Sequence, residues 1–183
     1  MKFAEEEAGL FPETRAVNDF IQSLLCLFGF TNKNQKVRQC PSMYFMMLGK
    51  RVNASTDVTL SLENPETQLI TETIATFYEN CERHRCVGRP ALTEQVMFGI
   101  TMARTAPIFY CIPVTKKLLG ALEHRPYPEE ETVILRFMPP IPNMNSYLTS
   151  GMQPLENHHI VFQYFKGLKA LIVHHITYPT DSS

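Results

Sequence analysis

Apolar residues recur at steps of three and four along three long segments of the chain, the spacing that collects them on one face of an α-helix. These segments are Pro12–Phe28, Asn64 to about Glu82, and Asn157 to about Val173. Asn64 and Asn157 are typical capping residues, Pro65 fits the first helical position, and Gly29 suits a helix end. A fourth, shorter helix is predicted from Thr115 to about Glu123.

Five further segments have the apolar patterns of β-strands, either alternation with period two or a short continuous apolar run. They are Met43–Leu48, Val58–Leu62, Val96–Met102, Ile108–Val114 and Val133–Met138. The four residues Arg104–Pro107 predict a turn and therefore an antiparallel hairpin. Pro113 has no N–H to give to a ladder, so its strand is expected to end there or to lie at a sheet edge.

The predicted order is helix, two strands, helix, two strands, helix, strand, helix. Paired strands separated by helices favour the α+β class, with an antiparallel or mixed sheet of about five strands and four helices packed on it. No internal repeat or linker is visible, so we expect one globular domain over residues 1–183, with short frayed ends at 1–10 and 177–183. The proline-rich segment Pro139–Pro154 is expected to be an irregular loop.

Composition places the chain among ordinary globular proteins. Its 183 residues are 44% hydrophobic and 19% charged, which allows a core without disulfides or metal and excludes a disordered tail, a collagen-like repeat and a coiled coil. The N-terminal segment is acidic, and the longest apolar stretch, Leu24–Phe30, is far shorter than the ~20 residues that cross a bilayer. Five scattered cysteines favour reduced thiols. We expect a soluble cytoplasmic or nuclear protein without a membrane partner.

Motifs that carry known chemistry are absent from the sequence. It contains no nucleophile elbow, no phosphate-binding glycine loop and no paired histidine zinc motif. Cys81, His84 and Cys86 form the densest cluster of metal-ligating residue types, but their spacing fits no standard zinc pair. They are a weak candidate only, and we predict neither a metal site nor a cofactor. An enzyme whose site is assembled from distant residues remains one hypothesis.

The net charge of −1 conceals two basic segments. Residues 31–56 carry five basic residues and no acid, and a second basic group follows at 83–89. Together they offer a candidate anion-binding set, namely Lys33, Lys36, Arg38, Lys50, Arg51, Arg83, Arg85 and Arg89. Anion or nucleic-acid binding is therefore an alternative function, although few aromatic residues lie among these positions to stack on bases. Ordinary solvated surface explains the same residues.

The leading hypothesis is a non-enzymatic protein-interaction or scaffold module that binds an unknown protein partner or a second copy of itself. The proline-rich loop mixes stiffening prolines with apolar side chains, which lowers the entropic cost of docking. The candidate partner-binding residues are Ile141, Met144, Tyr147 and Leu148. The alternative is that these side chains pack on their own domain as a covering loop.

Overall fold

The computed structural model describes residues 12–30, 43–54, 65–124 and 127–177. In chain order these form α1 (Pro12–Leu27), β1 (Met43–Met47), β2 (Lys50–Ala54), α2 (Pro65–Cys86), β3 (Glu94–Ala103), β4 (Ala106–Thr115), α3 (Lys116–His124), β5 (Leu135–Phe137), α4 (Tyr147–Ser150) and α5 (Leu155–Thr177). The predicted α+β class is confirmed. The described strands form two small antiparallel sheets, β1-β2 and β3-β4-β5, instead of one sheet, and α4 is a helix beyond the four expected.

The β3–β4 hairpin is the longest paired unit in the described part of the chain. Its ten residue pairs run from Glu94↔Thr115 to Ala103↔Ala106. Arg104 and Thr105 alone form the turn, and Arg104 adopts a positive φ of 56°, as tight two-residue hairpin turns require. The predicted antiparallel hairpin is therefore confirmed, with a turn two residues shorter than expected.

β4 is buried on both faces of its sheet. On one face, Phe109 packs edge to face on Phe165 of α5, with ring centroids 5.3 Å apart. On the other face four residues pack around Phe77 of α2, namely Ile108, Tyr110, Ile112 and Val114. Gly99 of β3 allows α2 to approach closely, since a Cβ there would lie 2.7 Å from a methyl carbon of Leu69. The sheet thus lies between α5 and α2.

Helix α1 is anchored on α5 by aromatic packing and one hydrogen bond. The Phe28 ring stacks on Phe165 at 5.1 Å and meets Phe162 edge-on at 5.0 Å. Lys169 Nζ donates to the Phe28 carbonyl at 3.0 Å, which satisfies one of the acceptors left open at a helix end. Gly29 has a positive φ of 67°, so the predicted helix end is confirmed.

The first hairpin differs from the sequence prediction in its second strand. β1 agrees with the predicted strand, but β2 was not predicted because its sequence, Lys50–Ala54, is mostly polar. Leu48 and Gly49 form the turn, with φ of 50° and 69°. Leucine rarely adopts a positive φ, so this turn has no clear sequence signal. The predicted strand Val58–Leu62 lies outside the described residues.

Two predicted helix caps have different outcomes. Thr115 caps α3 as predicted, because its Oγ1 accepts a hydrogen bond from Leu118 N at 3.1 Å. The predicted cap Asn157 is wrong, since α5 begins at Leu155 and Asn157 lies inside it. The buried Asn157 side chain instead donates to the Gly151 carbonyl at 2.7 Å. This bond ties the start of α5 to the preceding turn.

The expectation that Pro139–Pro154 lacks regular structure is wrong for its middle part. A 3₁₀ turn, Met144–Ser146, leads directly into α4. The hydroxyls of Thr149 and Ser150 both donate to the Ser146 carbonyl at 2.8 Å. Local side-chain hydrogen bonds of this kind stabilise a short turn of helix that apolar periodicity does not reveal.

β5 is shorter than the predicted strand Val133–Met138. It pairs with β4 only from Phe109 to Cys111. β4 itself does not end at Pro113, and it continues to Thr115. Pro113 lies two residues beyond Cys111, the last β4 residue that pairs with β5. At Pro113 no described strand lies on that side of β4. The prediction for Pro113 is therefore wrong in both alternatives, because β4 is the central strand of its sheet; the missing N–H instead explains why β5 extends no further.

We predict opposite effects on stability for alanine at two glycines. Gly151 has φ 53° and ψ −126°, and a Cβ there would lie 2.7 Å from the Thr105 carbonyl carbon, a backbone atom. Gly151→Ala should therefore lower the free energy of unfolding by more than ~2 kcal/mol. Gly120 lies in α3 with no atom within 4 Å of its Cβ position.

Gly120→Ala should raise the free energy of unfolding by ~0.5–1 kcal/mol, because alanine loses less backbone entropy in a helix. Urea denaturation followed by circular dichroism measures both variants. Equal stability of Gly151→Ala and wild type would show that the turn at Thr105 does not pack as described.

Candidate functional site

Two of the four loop residues predicted to bind a partner lie in the protein's own core. Ile141 and Tyr147 are both buried in the cluster that also holds Phe165. Tyr147 Oη donates to the Pro107 carbonyl at 2.9 Å, and burial raises the pKa of this phenol above its usual value. These two residues fasten the loop to β4, as the covering-loop alternative describes.

The other two loop residues lie at the surface. Met144 and Leu148 are 41% and 46% exposed. The four residues therefore do not form one accessible patch, and only these two are open to a partner in the described structure. The proline-rich loop is accordingly a weaker candidate interface than its sequence suggests.

The structure describes five of the eight candidate anion-binding residues, and of these Arg83 and Arg89 line one groove. Lys33, Lys36 and Arg38 lie outside the described residues. Lys50 and Arg51 lie on β2, where the Arg51 guanidinium sits 3.9 Å from the centroid of the Tyr44 ring. Arg85 is bound to Glu82 at 2.7 Å. These contacts leave Arg83 and Arg89 as a separate pair.

Arg83 and Arg89 line an open groove at the end of α2. The groove has a volume of about 600 Å³, and its other lining residues are Asn80, His84, Val87, Leu92 and Gln95. Arg89 N donates to the His84 carbonyl at 3.0 Å, which places residue 89 beside the helix end. Among the described residues, neither of these two guanidinium groups has a carboxylate within ion-pair distance. The groove therefore gathers two arginines and a histidine.

The cluster Cys81, His84 and Cys86 does not form a metal site in the structure. His84 Nδ1 lies 2.9 Å from the Pro90 carbonyl, whereas Cys81 packs against the core around Phe77. No three His, Cys, Asp or Glu side chains within the described ranges come close enough together to hold a metal ion.

The cysteines of the described segments are free thiols, namely Cys26, Cys81, Cys86 and Cys111. Burial raises the pKa of Cys81 and of Cys111. A raised pKa keeps a thiol protonated, and the thiolate is the reactive form. Neither of these two residues is thus prepared as a nucleophile.

The outer strand of the three-stranded sheet exposes a row of apolar side chains. Val133, Leu135 and Phe137 are 62%, 61% and 50% exposed. Leu135 and Phe137 occupy alternate positions of β5 and therefore point to the same face of the sheet, and Val133 lies two residues before β5 begins. Phe137 is the most covered of the three, because it packs against Tyr164 of α5 at a centroid distance of 5.1 Å. Because β5 lies at the end of the strand order, no described strand pairs with its outer edge.

The direction of the backbone groups on β5 follows from Tyr147. The hydrogen bond from Tyr147 Oη shows that the Pro107 carbonyl points away from β3. Backbone polar groups alternate sides along an antiparallel strand, so those of Phe109 and Cys111 also face β5. Their partners, Phe137 and Leu135, face β4 in return. The N–H and C=O of Arg136 consequently point outward, to the open edge.

Arg136 is held in place by α2. Its Nε lies 3.1 Å from Glu66 Oε1, in a half-exposed ion pair on the sheet face opposite to Leu135. An ion pair of this exposure contributes at most ~1 kcal/mol to stability. It does, however, restrain the β5 residue whose backbone groups point to the open edge.

An acidic segment precedes β5 and crosses over helix α3. Glu129, Glu130 and Glu131 line an open groove of about 660 Å³ between this segment and α3. Lys117 Nζ binds Glu130 Oε1 at 2.8 Å. A second groove of about 470 Å³ lies along the same segment, where Ile70, Ile74 and Ile112 are among the lining residues. The exposed edge therefore has three carboxylates at its N-terminal end.

We define the edge ribbon as residues 129–137, which comprise the three glutamates, the exposed apolar row and β5. The sequence does predict its strand, since Val133–Met138 has the apolar pattern of a strand. Both sets of alternate positions in that strand are largely apolar, so periodicity does not show which set is exposed. The sequence also does not show that β5 is the last strand of its sheet, which follows from the strand order.

No described helix is both long enough and apolar enough to cross a membrane. Comparison of the chain with protein-family models, with curated proteins and with solved structures finds no match. Functional inference therefore rests on the geometry of the described surface.

We predict that Tyr147 and Leu148 differ sharply in their contribution to stability. Tyr147→Phe leaves the Pro107 carbonyl without its donor inside the core, so the free energy of unfolding should fall by ~1–3 kcal/mol. Leu148→Ser changes an exposed side chain and should alter stability by less than ~0.5 kcal/mol. Urea unfolding of the two variants and wild type measures the difference, and equal values for the two would contradict the buried position of Tyr147.

Proposed function

We propose that the protein is a non-enzymatic interaction module that docks an extended strand of a protein partner along the outer edge of β5. One observation carries this proposal: the exposed apolar residues Val133, Leu135 and Phe137 lie at and just before β5, a strand whose outer edge no described strand covers. An edge strand offers unpaired N–H and C=O groups to another chain. In strand addition these groups supply affinity, and the alternate side chains supply specificity.

The charge of the edge ribbon restricts which end of a partner strand can lie beside it. Glu129, Glu130 and Glu131 are all exposed, and Lys117 binds Glu130. In an antiparallel arrangement, the C-terminal end of the partner strand lies beside these carboxylates. The best match is therefore a strand with alternating apolar residues whose C-terminal end carries no acidic residue, because like charges placed opposite each other destabilise a strand pair.

Two substitutions of Arg136 separate the effect of its backbone N–H from the effect of its charge. Arg136→Pro removes the outward N–H but leaves the pairing of Leu135 and Phe137 with β4 intact, since proline is tolerated where the N–H faces solvent. Arg136→Ala removes only the ion pair with Glu66. We predict that Arg136→Pro weakens strand docking at least tenfold, whereas Arg136→Ala changes it less than threefold.

The probe is a nine-residue peptide in which valine alternates with threonine, followed by two lysines and labelled for fluorescence anisotropy. A matched peptide carries the lysines at its N-terminal end and should bind more weakly. Circular dichroism confirms that both Arg136 variants remain folded. Absence of binding to wild type, or equal binding to the proline and alanine variants, would overturn the proposal.

A second candidate function, anion binding, is supported by the groove at the end of α2. Arg83 and Arg89 share it with His84, and guanidinium groups suit phosphate and carboxylate oxygens. This site contains only two of the eight candidate basic residues. Arg85 is paired with Glu82, and Lys50 lies on β2.

The double variant Arg83→Gln/Arg89→Gln should weaken binding of inorganic phosphate at least tenfold, because it removes both guanidinium charges from the groove. Arg85→Gln is the matched control and should leave binding unchanged, since Arg85 does not line the groove. Isothermal titration at 20 mM and 200 mM salt measures each protein, and affinity is expected to fall with salt. Equal loss in the control, or no binding at low salt, counts against this function.

A further inference from the structure

We propose that the strand docked on β5 belongs to a second copy of this chain, paired antiparallel about a two-fold axis that passes beside Leu135. This inference rests on the proposed function and names its partner. A symmetric dimer buries the same patch of both copies, so each contact between residues i and j occurs twice. The edge ribbon meets that condition, as its apolar row is symmetric about its central member.

The apolar row is self-complementary in this register. Leu135 lies opposite Leu135 of the other copy, and Val133 lies opposite Phe137 of the other copy on both sides of the axis. Every exposed apolar side chain of the row thereby gains an apolar neighbour on the same face. Registers shifted by one residue lack this match, because they place Leu135 opposite Arg136 or Ile134, whose side chains lie on the opposite face.

The backbone directions fit the same axis. The N–H and C=O of Leu135 face β4, so Leu135 and its symmetry mate form a non-hydrogen-bonded pair, with Cα atoms ~4.5 Å apart. The outward groups of Arg136 then bond to position 134 of the other copy. The two sheets join into one continuous sheet of six strands.

The charges of two copies are compatible with this pairing. Glu131 of one copy lies opposite position 139 of the other, so the two Glu131 residues are ~27 Å apart along the strands. The segment Pro139–Pro154 contains no charged residue, so neither acidic run meets a like charge there. Each Arg136 retains Glu66 of its own copy as a partner at 3.1 Å. The two Arg136 residues become diagonal neighbours across the axis, where each has Glu66 of its own copy as the compensating charge.

The expected dimer is weak, because the paired edge is short. Stable interfaces bury at least ~1,200 Å² in total, and smaller contacts are transient. We therefore expect a dissociation constant on the order of 10–100 μM, the range in which a small contact exchanges rapidly. Sedimentation equilibrium of the full chain between 1 μM and 1 mM covers this range.

Leu135→Lys places two like charges directly across the axis, which destabilises a strand pair. Its dimer dissociation constant should rise at least tenfold, as should that of Arg136→Pro. Leu27→Lys introduces the same charge at another exposed leucine, at the C-terminal end of α1, and should leave dimerisation unchanged. Circular dichroism confirms that each variant is folded.

A disulfide cross-link tests the register independently. In a chain whose five native cysteines are replaced by alanine, Leu135→Cys should form a covalent dimer under mild oxidation, because the Cα atoms are close enough for a disulfide. Phe137→Cys is the matched control on the same face. Its symmetry mate lies ~13 Å away along the strands, so it should not cross-link.

The outcomes separate this inference from the proposed function. A wild-type chain that stays monomeric to 1 mM overturns the dimer, as does a dimer insensitive to both Leu135→Lys and Arg136→Pro. In either case, binding of the valine–threonine peptide still decides whether β5 docks a partner strand. Dimerisation lost in both edge variants, with a cross-link at position 135 alone, supports the symmetric pair.

Discussion

The burial of β4 on both faces is the constraint on which the rest of the structure depends. A strand with Phe109 on one face and Ile108, Tyr110 and Ile112 on the other exposes large apolar areas unless each face is covered. Helix α5 covers the first face and α2 covers the second. The fold is therefore three layers, and the helices are long because each must span the hairpin.

The same strand determines where the sheet ends. Pro107 and Pro113 lack the N–H groups that a partner needs on the β5 side of β4, and both still pair with β3 as residues of a regular ladder. At Pro107 the carbonyl accepts the Tyr147 hydroxyl instead of a strand. Only the three β4 residues Phe109–Cys111 pair with β5. Two prolines thus produce a short outer strand whose own far edge is open.

Local patterns in the sequence predict the long elements well and the tertiary roles poorly. The apolar spacing in α2 and the apolar alternation in β3 are each repeated several times, so the sequence alone predicts both elements. Asn157 and Tyr147 show the limit. An asparagine suits a helix cap, but Asn157 is instead buried and donates a hydrogen bond to the Gly151 carbonyl. Similarly, nothing in the loop sequence indicates that the Tyr147 hydroxyl donates to a carbonyl 40 positions earlier.

The candidate site could be predicted only in part for a similar reason. The sequence shows the apolar run around Leu135 and the acidic run Glu129–Glu131. Whether these residues are exposed depends on which elements of the fold pack beside them. Ile141 and Tyr147 are apolar like Leu135 but are buried, because they pack in the same core cluster as Phe109 of β4. Leu135 is exposed because it lies on the outer strand of its sheet, and its own sequence does not show that position.

An open apolar edge normally promotes unspecific association, and proteins restrict it by keeping it short and by placing charges nearby. The edge ribbon has both features. Three carboxylates stand at its N-terminal end, and Arg136 is held against Glu66 within the strand. In the proposed register centred on Leu135, the acidic runs of the two copies lie far apart and the apolar row is matched. Under that proposal, the arrangement that limits aggregation also selects the partner.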